Sequence, residues 1–292
     1  MSSLSNFFAL VPVAPLTSLT SAAERLNEHN LGEQLPRSRN GDELDRLAEV
    51  LNAMTRRLND AFKRVHEFTL HASHELKTPL TVLCVETETE LRDDALVPAQ
   101  RERAVSRLDE LGRLTRIVDG LTLLAKADAG LVNLTFVPVA LDVLVRDSFA
   151  DTQILAQARG ISVELKSCDA AKIAGDAHRL RQLLLNLADN AIKYNREGGT
   201  ISMALRKEAE LAEFSIANTG LGISADALPR VFDRFFRADP AHSSEVDGCG
   251  LGLSIAQWIT SAHKGTIRID SDPDRMTTVS VKFPVLSGGP GA

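Results

Sequence analysis

The sequence predicts a multidomain chain: a short helical relay, an antiparallel helical hairpin that pairs with a second copy into a four-helix bundle, and a C-terminal unit of mixed strands and helices. Three observations predict it. The 292 residues exceed one ordinary domain. Apolar residues keep a helical spacing through 44–91 and again through 108–124, with RDDALVP (92–98) between the two runs. From about residue 135 the texture changes to short alternating runs and glycine-bearing loops.

Composition narrows the class. Hydrophobic residues at 44% and charged residues at 25% supply ample material for a core. A formal charge of −6 argues against a nucleic-acid-coating protein. Cys84, Cys168 and Cys249 lie far apart with no C-x-x-C pair, which suggests neither a zinc site nor a disulfide framework and fits reduced cytosolic thiols. FFALVPVAPL (7–16) is apolar, but Pro12 and Pro15 interrupt it and a spanning helix needs about 20 apolar residues. Lacking a basic start, it reads either as a flexible N-terminus or as the stump of a membrane helix whose beginning is missing.

In chain order, 16–31 reads as a short amphipathic helix and 31–43, with Pro36 and Gly41, as a connector. Asp42 can cap a second helix whose stripe is Leu44, Leu47, Leu51, Met54, Leu58 and Phe62. Two such helices cannot bury their stripes alone, so they need a partner. The second helix runs on through Val65, Phe68, Ala72, Leu76, Leu83 and Leu91, and a return helix follows with Leu108, Leu111, Leu114, Ile117, Val118, Leu121 and Leu124. This hairpin is half a four-helix bundle, and dimerisation completes it. Beyond it, ISVEL (161–165), TISMAL (200–205), LAEFSIAN (211–218), TIRID and TTVSVKF read as strands. Residues 175–194 read as a helix capped by Asp176, and LGLSIAQWITSA as another after a glycine-rich loop. Such loops between strands and helices suggest a nucleotide site.

The stretch LHASHELKTPLTVL (70–83) places a proline inside a helix, at about 3 kcal/mol. His74 lies two residues from Ala72 and from Leu76, so it points away from the apolar stripe. An exposed imidazole titrates near neutrality and can act as a nucleophile. Glu75 can raise its basicity by accepting a ring N–H. Pro79 frees the Glu75 carbonyl and can kink the helix. On the His–Glu pair alone, a solvated surface histidine is the simpler reading; metal binding by His71 and His74 lacks a third ligand.

SHELKTPL resembles the H-box of sensor histidine kinases, and further motifs follow in that family's order. NLADNAIKYN (186–195) resembles the N-box. The resemblance implies that Asn190 is a magnesium ligand bridging to phosphates, with Asn186 beside it, Lys193 on phosphate and Tyr194 near adenine. NTGLGI (218–223) resembles the first glycine box, with Gly220 and Gly222, but has Asn218 where the family carries an aspartate that accepts the adenine amino group. The asparagine can still accept, without charge assistance. RVFDRFFRAD (230–239) resembles the F-box, whose Phe232, Phe235 and Phe236 would anchor a lid over 241–247. DGCGLGLS (247–254) resembles the second glycine box, whose Gly248, Gly250 and Gly252 let backbone amides approach phosphates at a helix N-terminus.

Carried along the chain, the resemblance implies an apolar stump (1–15), a HAMP-like signal relay (16–62) with Glu43 opening its second helix, a dimerising phosphoacceptor domain (63–130), an α/β sandwich ATP-binding domain of the Bergerat type (135–287) and a flexible tail (288–292). It implies a homodimeric protein-histidine kinase that uses ATP and Mg2+. His74 is the phosphoacceptor, Glu75 the activating base, and Thr78 serves a phosphatase step. The partner is the receiver domain of a response regulator, and no nucleic acid is bound. The domains would be cytoplasmic, tethered to the inner membrane through a missing N-terminal transmembrane region. Asn186 stands where ATPases of this fold carry a water-activating glutamate, which implies little free phosphate release. A non-catalytic relay and an ATPase acting as a conformational machine are the rival readings.

Overall fold

A computed structural model describes residues 20–21, 34–37, 43–93, 95–237, 249–273 and 275–286. The stump, most of the expected 16–31 helix, Asp42, the 241–247 stretch, Gly248 and the tail lie outside the described residues. The chain forms two compact units, Met1–Ala72 and Ser73–Ala292. Among the described residues no helix is long and apolar enough to cross a membrane.

Helix α1 (Glu43–Leu91) supplies the described helix of the first unit. There the connector is pinned to it. The Leu35 N–H donates to Asn52 Oδ1 at 2.7 Å, Asn52 Nδ2 donates back to the Leu35 carbonyl at 3.1 Å, and Arg37 makes two bonds of 3.0 Å to Asp45. Leu35 and Ala48 are buried, with Leu51 against them. Met54, Leu58, Phe62, Val65 and Phe68 remain exposed.

In the second unit the end of α1 forms a hairpin with α2 (Pro98–Asp128). As the sequence indicates, the break falls after Leu91, and α1 passes through Pro79 without ending. Lys77 joins Asp119 across the hairpin at 2.7 Å, and Glu90 joins Arg107 at 3.0 Å. Leu76 and Leu83, two turns apart on one side of α1, leave an apolar strip open, and Val82 and Val85 are exposed on its other sides.

The rest of this unit is an α/β sandwich. Strands β1 (Val137–Ala140) and β3 (Lys172–Gly175) form an antiparallel pair. Strands β2 (Ser162–Cys168), β4 (Thr200–Glu208), β5 (Leu211–Thr219), β6 (Thr266–Asp272) and β7 (Met276–Pro284) form a five-stranded sheet in the order β2-β4-β5-β7-β6. Only β2–β4 is parallel. Along β5, buried Ala212, Phe214, Ile216 and Asn218 alternate with half-buried neighbours, the period of a sheet covered on one face. Helices α3 (Leu141–Gln157), α4 (Ala177–Lys193) and α5 (Gly252–Ala262) complete the core, and Leu123 and Leu124 of α2 belong to it.

Helix α3 and strands β1 and β3 are absent from the sequence reading. In α3 the core-facing stripe is Leu141, Leu144, Val145, Ser148, Thr152 and Ala156, while Val143, Ile154 and Leu155 are exposed. Hydroxyls inside and aliphatics outside erase the apolar period on which such a reading depends. Strands β1 and β3 are four residues each, too short for alternation to register.

Candidate functional site

His74 is exposed on α1, with Lys77, Thr78, Thr81 and Val82 along the same open groove. The threonine is distinctive. In helices α1, α2, α3 and α5 every other threonine donates to the carbonyl three or four residues back. Thr78 makes no such bond, so its hydroxyl is available on the face that carries His74.

Helix α4 places the amides. Its N-cap Asp176 accepts from the N–H groups of His178, Arg179 and Thr135. Burial pushes this carboxyl up, but the three backbone donors outweigh it and hold it below the usual carboxylate range. The Asp176 N–H in turn donates to Nε2 of buried His263 at 2.9 Å, and His263 Nδ1 meets the Ile259 carbonyl at 2.7 Å. With Nε2 accepting, Nδ1 carries the proton and the ring is neutral; burial holds its pKa below the ordinary value. Buried leucines turn one side of α4 inward, and Gln182, Asn186, Asn190 and Lys193 run half-buried along the border of that side.

Asn186 Nδ2 donates to the Gly252 carbonyl at 3.3 Å, and a Cβ on Gly252 would come within 3.7 Å of both side-chain heteroatoms of Asn190. The N-box amides therefore face the first turn of α5. Gly250 just before it has φ +70, and a Cβ there would stand 2.8 Å from the Phe235 backbone, so only glycine fits. Lys193 is paired with Asp189 at 2.6 Å.

The far end of α4 is locked to β5. Asn218 Nδ2 donates to the Tyr194 carbonyl at 3.3 Å and the Thr219 carbonyl at 3.2 Å, which leaves Oδ1 as a pure acceptor. A Cβ on Gly220 would lie 2.2 Å from the Tyr194 carbonyl oxygen, a backbone atom that cannot yield. Gly222 follows in the same turn, beneath Pro273.

A cleft of about 630 Å³ gathers Asn186, Asn190, Lys193, Tyr194, Gly250 and Gly252. Asn218, Gly220 and Gly222 are not on its wall and reach it through Tyr194; neither is His74, although Lys77 is. Its opposite wall, missed by the sequence reading, is α2 with Arg113, Arg116 and Lys126. Both acidic residues of the lining, Asp119 and Asp189, are paired with its lysines. Gly120 was the available signal. A glycine inside a helix costs roughly 0.5–1 kcal/mol, and here a Cβ would press to 3.2 Å on Leu251 of the phosphate-type loop. Also missed is the bracket in which Thr219 Oγ1 donates to Asn195 Oδ1 at 2.7 Å, closed by Gly199.

Comparison with known families matches residues 13–60 to the HAMP domain and 64–130 to the His Kinase A (phospho-acceptor) domain. Residues 175–287 match the histidine kinase-, DNA gyrase B-, and HSP90-like ATPase. The chain is 31% identical to the sensor protein IrlS of Burkholderia pseudomallei over 94% of its own length, and 32% identical to the sensor histidine kinase CusS of Escherichia coli K12 over 89%. The chain belongs to the bacterial two-component sensor histidine kinases. This sensor kinase chain spans 59% of IrlS and 54% of CusS, about half the length of the curated relatives it matches. Full-length ShkA, solved in complex with AMPPNP, is 26% identical and aligns over 77% of this chain and 47% of its own, with a TM-score of 0.64. Acinetobacter baumannii AdeS, 21% identical with a TM-score of 0.53 over 73% of this chain and 98% of its own, shares the fold. In this sensor kinase the sheet begins upstream of the matched ATPase segment, since β2 pairs with β4 and β1 with β3.

Proposed function

We propose that this chain transfers the γ-phosphoryl group of ATP to a ring nitrogen of His74 and then to an aspartate on the receiver domain of a response regulator. One observation carries the reading: the cleft that holds the N-box amides and the glycine loop also has Lys77 on its wall, three residues beyond exposed His74. The site therefore opens toward the histidine helix.

The residues fit a nucleotide. Oδ1 of Asn218 is an acceptor suited to the adenine amino group, and glycine at 220 lets that turn close against the Tyr194 carbonyl beside it. Lys193, Lys126 and the α2 arginines offset phosphate charge. Asn190 would hold Mg2+ through its amide oxygen, with phosphate oxygens and waters as the other ligands. When bound, the ion supplies charge neutralisation at the phosphates. Glu75 accepts a proton or N–H from the imidazole and makes it the better nucleophile. As the new N–P bond forms, the bond to the β–γ bridging oxygen breaks, and ADP leaves with that electron pair. Asn186 is an amide, unable to take a proton from water, so the phosphoryl group waits for the histidine. Thr78 then orients water on the phosphorylated regulator.

The same reading makes the chain a homodimer through the open face of the hairpin, with domains 16–62, 63–130 and 135–287. It places them on the cytoplasmic side of a membrane, tethered through a segment N-terminal to the relay. The test is incubation with γ-labelled ATP and Mg2+. An acid-labile label is expected on the wild type and none on His74→Gln, with AMPPNP affinity unchanged. An acid-stable label, or label retained by the variant, overturns the assignment.

A further inference from the structure

The last residue of α2 is tied to the turn that carries the F-box aromatics. Nη2 of Arg234 donates to both carboxylate oxygens of Asp128, each at 2.7 Å. The next residue, Phe235, has φ +61, a left-handed conformation unfavourable for a bulky side chain. It is fixed on its other side too. Its N–H donates to the Gly250 carbonyl at 3.0 Å, and the Gly250 backbone lies so close that no Cβ could stand between them. Phe236 lines the cleft beneath the Arg230 guanidinium, 4.6 Å from the ring centre. A continuous path thus runs from the end of the hairpin, through one ion pair and one strained residue, to the glycine loop that faces Asn190.

We infer that Asp128 and Arg234 are positioning residues for phosphoryl transfer, and that their pair holds the nucleotide loop in register with the hairpin. The inference rests on the reading that this cleft delivers phosphate to His74. A half-exposed ion pair on an ordinary surface adds little. This one joins two sequence segments 106 residues apart and abuts a residue whose conformation must be imposed from outside. Neither residue reaches the nucleotide amides, so the pair acts on the approach of the loop to the hairpin rather than on nucleotide binding itself.

The test uses the full chain as Asp128→Arg, Arg234→Asp and the double exchange. At saturating ATP each single variant should label His74 about two- to fivefold more slowly, the range for an ion pair of this exposure. AMPPNP affinity should move by less than about twofold, because the binding residues are untouched. Amide hydrogen exchange at Phe235 should quicken in the singles, and the double exchange should recover most of both effects. Single variants that label at the wild-type rate overturn the inference. So does a double variant as slow as the two single effects multiplied, or a loss of AMPPNP affinity as large as the loss of rate. If the wild type takes no label, the kinase reading fails by itself. The clasp is then judged on Phe235 exchange alone, and unchanged protection in the singles overturns it.

Discussion

The hydroxyl of Thr78 is free of the helix backbone although those of its helical counterparts are not, and one turn of α1 brings it beside His74. A hydroxyl without a backbone bond can orient a water, so Thr78→Ala should slow regulator dephosphorylation by about tenfold or more while leaving His74 labelling within about twofold; equal phosphatase rates would remove the role. Asn186 carries a second expectation. Replacing it with Glu in a His74→Gln background supplies a general base, worth up to about 10² in free-phosphate release. The same change sets a carboxylate against the Gly252 carbonyl that Asn186 now donates to, so AMPPNP binding should weaken in parallel. Phosphate release equal to that of the His74→Gln parent would show that the base is misplaced. These residues were legible because chemistry put rare types at fixed spacing: His beside Glu, Asn four residues from Asn, glycines before a helix. Lys126 and Arg116 were not, because a charged residue on an amphipathic helix reads as solvated until a second domain is laid against it.

At the scale of elements, α4 is held by its first turn. The Asp176 backbone depends on neutral His263, wedged against Gly175 with Phe136 and Phe283 around it. Because the folded protein depresses the His263 pKa, the unfolded chain binds the extra proton first, and stability is lost as pH falls through the ordinary histidine value near 6.5. The depressed Asp176 carboxyl acts in the same direction at lower pH, since its stabilisation fades once the carboxyl protonates. Thermal melts from pH 7.5 to 5 should therefore drop, and His263→Gln, less stable throughout, should show a flatter slope; parallel slopes would assign the loss elsewhere. Long elements were readable for the opposite reason that α3 was not. In α4 seven buried apolar residues face inward in an unbroken stripe, whereas in α3 Ser148 and Thr152 hold core positions. The capping role of Asp176 could be read locally; its dependence on His263, 87 residues away, could not.

For the whole molecule, the hairpin leaves Leu76 and Leu83 uncovered on one side of α1. A face of that kind needs a second copy to remove it from water. Leu76→Glu with Leu83→Glu should give a monomer by light scattering while AMPPNP affinity persists; a dimer of undiminished stability would place the interface on another face. The overall order of parts was visible in the sequence because helical periodicity gives way abruptly to alternation near residue 135. The opposition of α2 and the glycine loop was not, since it depends on Gly120 meeting Leu251 in space. The short passage from Asp128 to Val137, stitched near its end where Thr135 donates to Asp176, has one more consequence. Its eight intervening residues could extend at most about 28 Å, so the nucleotide domain, on lifting from its seat on Leu123 and Leu124 of α2, stays a tethered reagent confined to a small volume. Its effective concentration around the histidine helices would be of millimolar order, set by covalent connection and indifferent to how dilute the protein itself becomes.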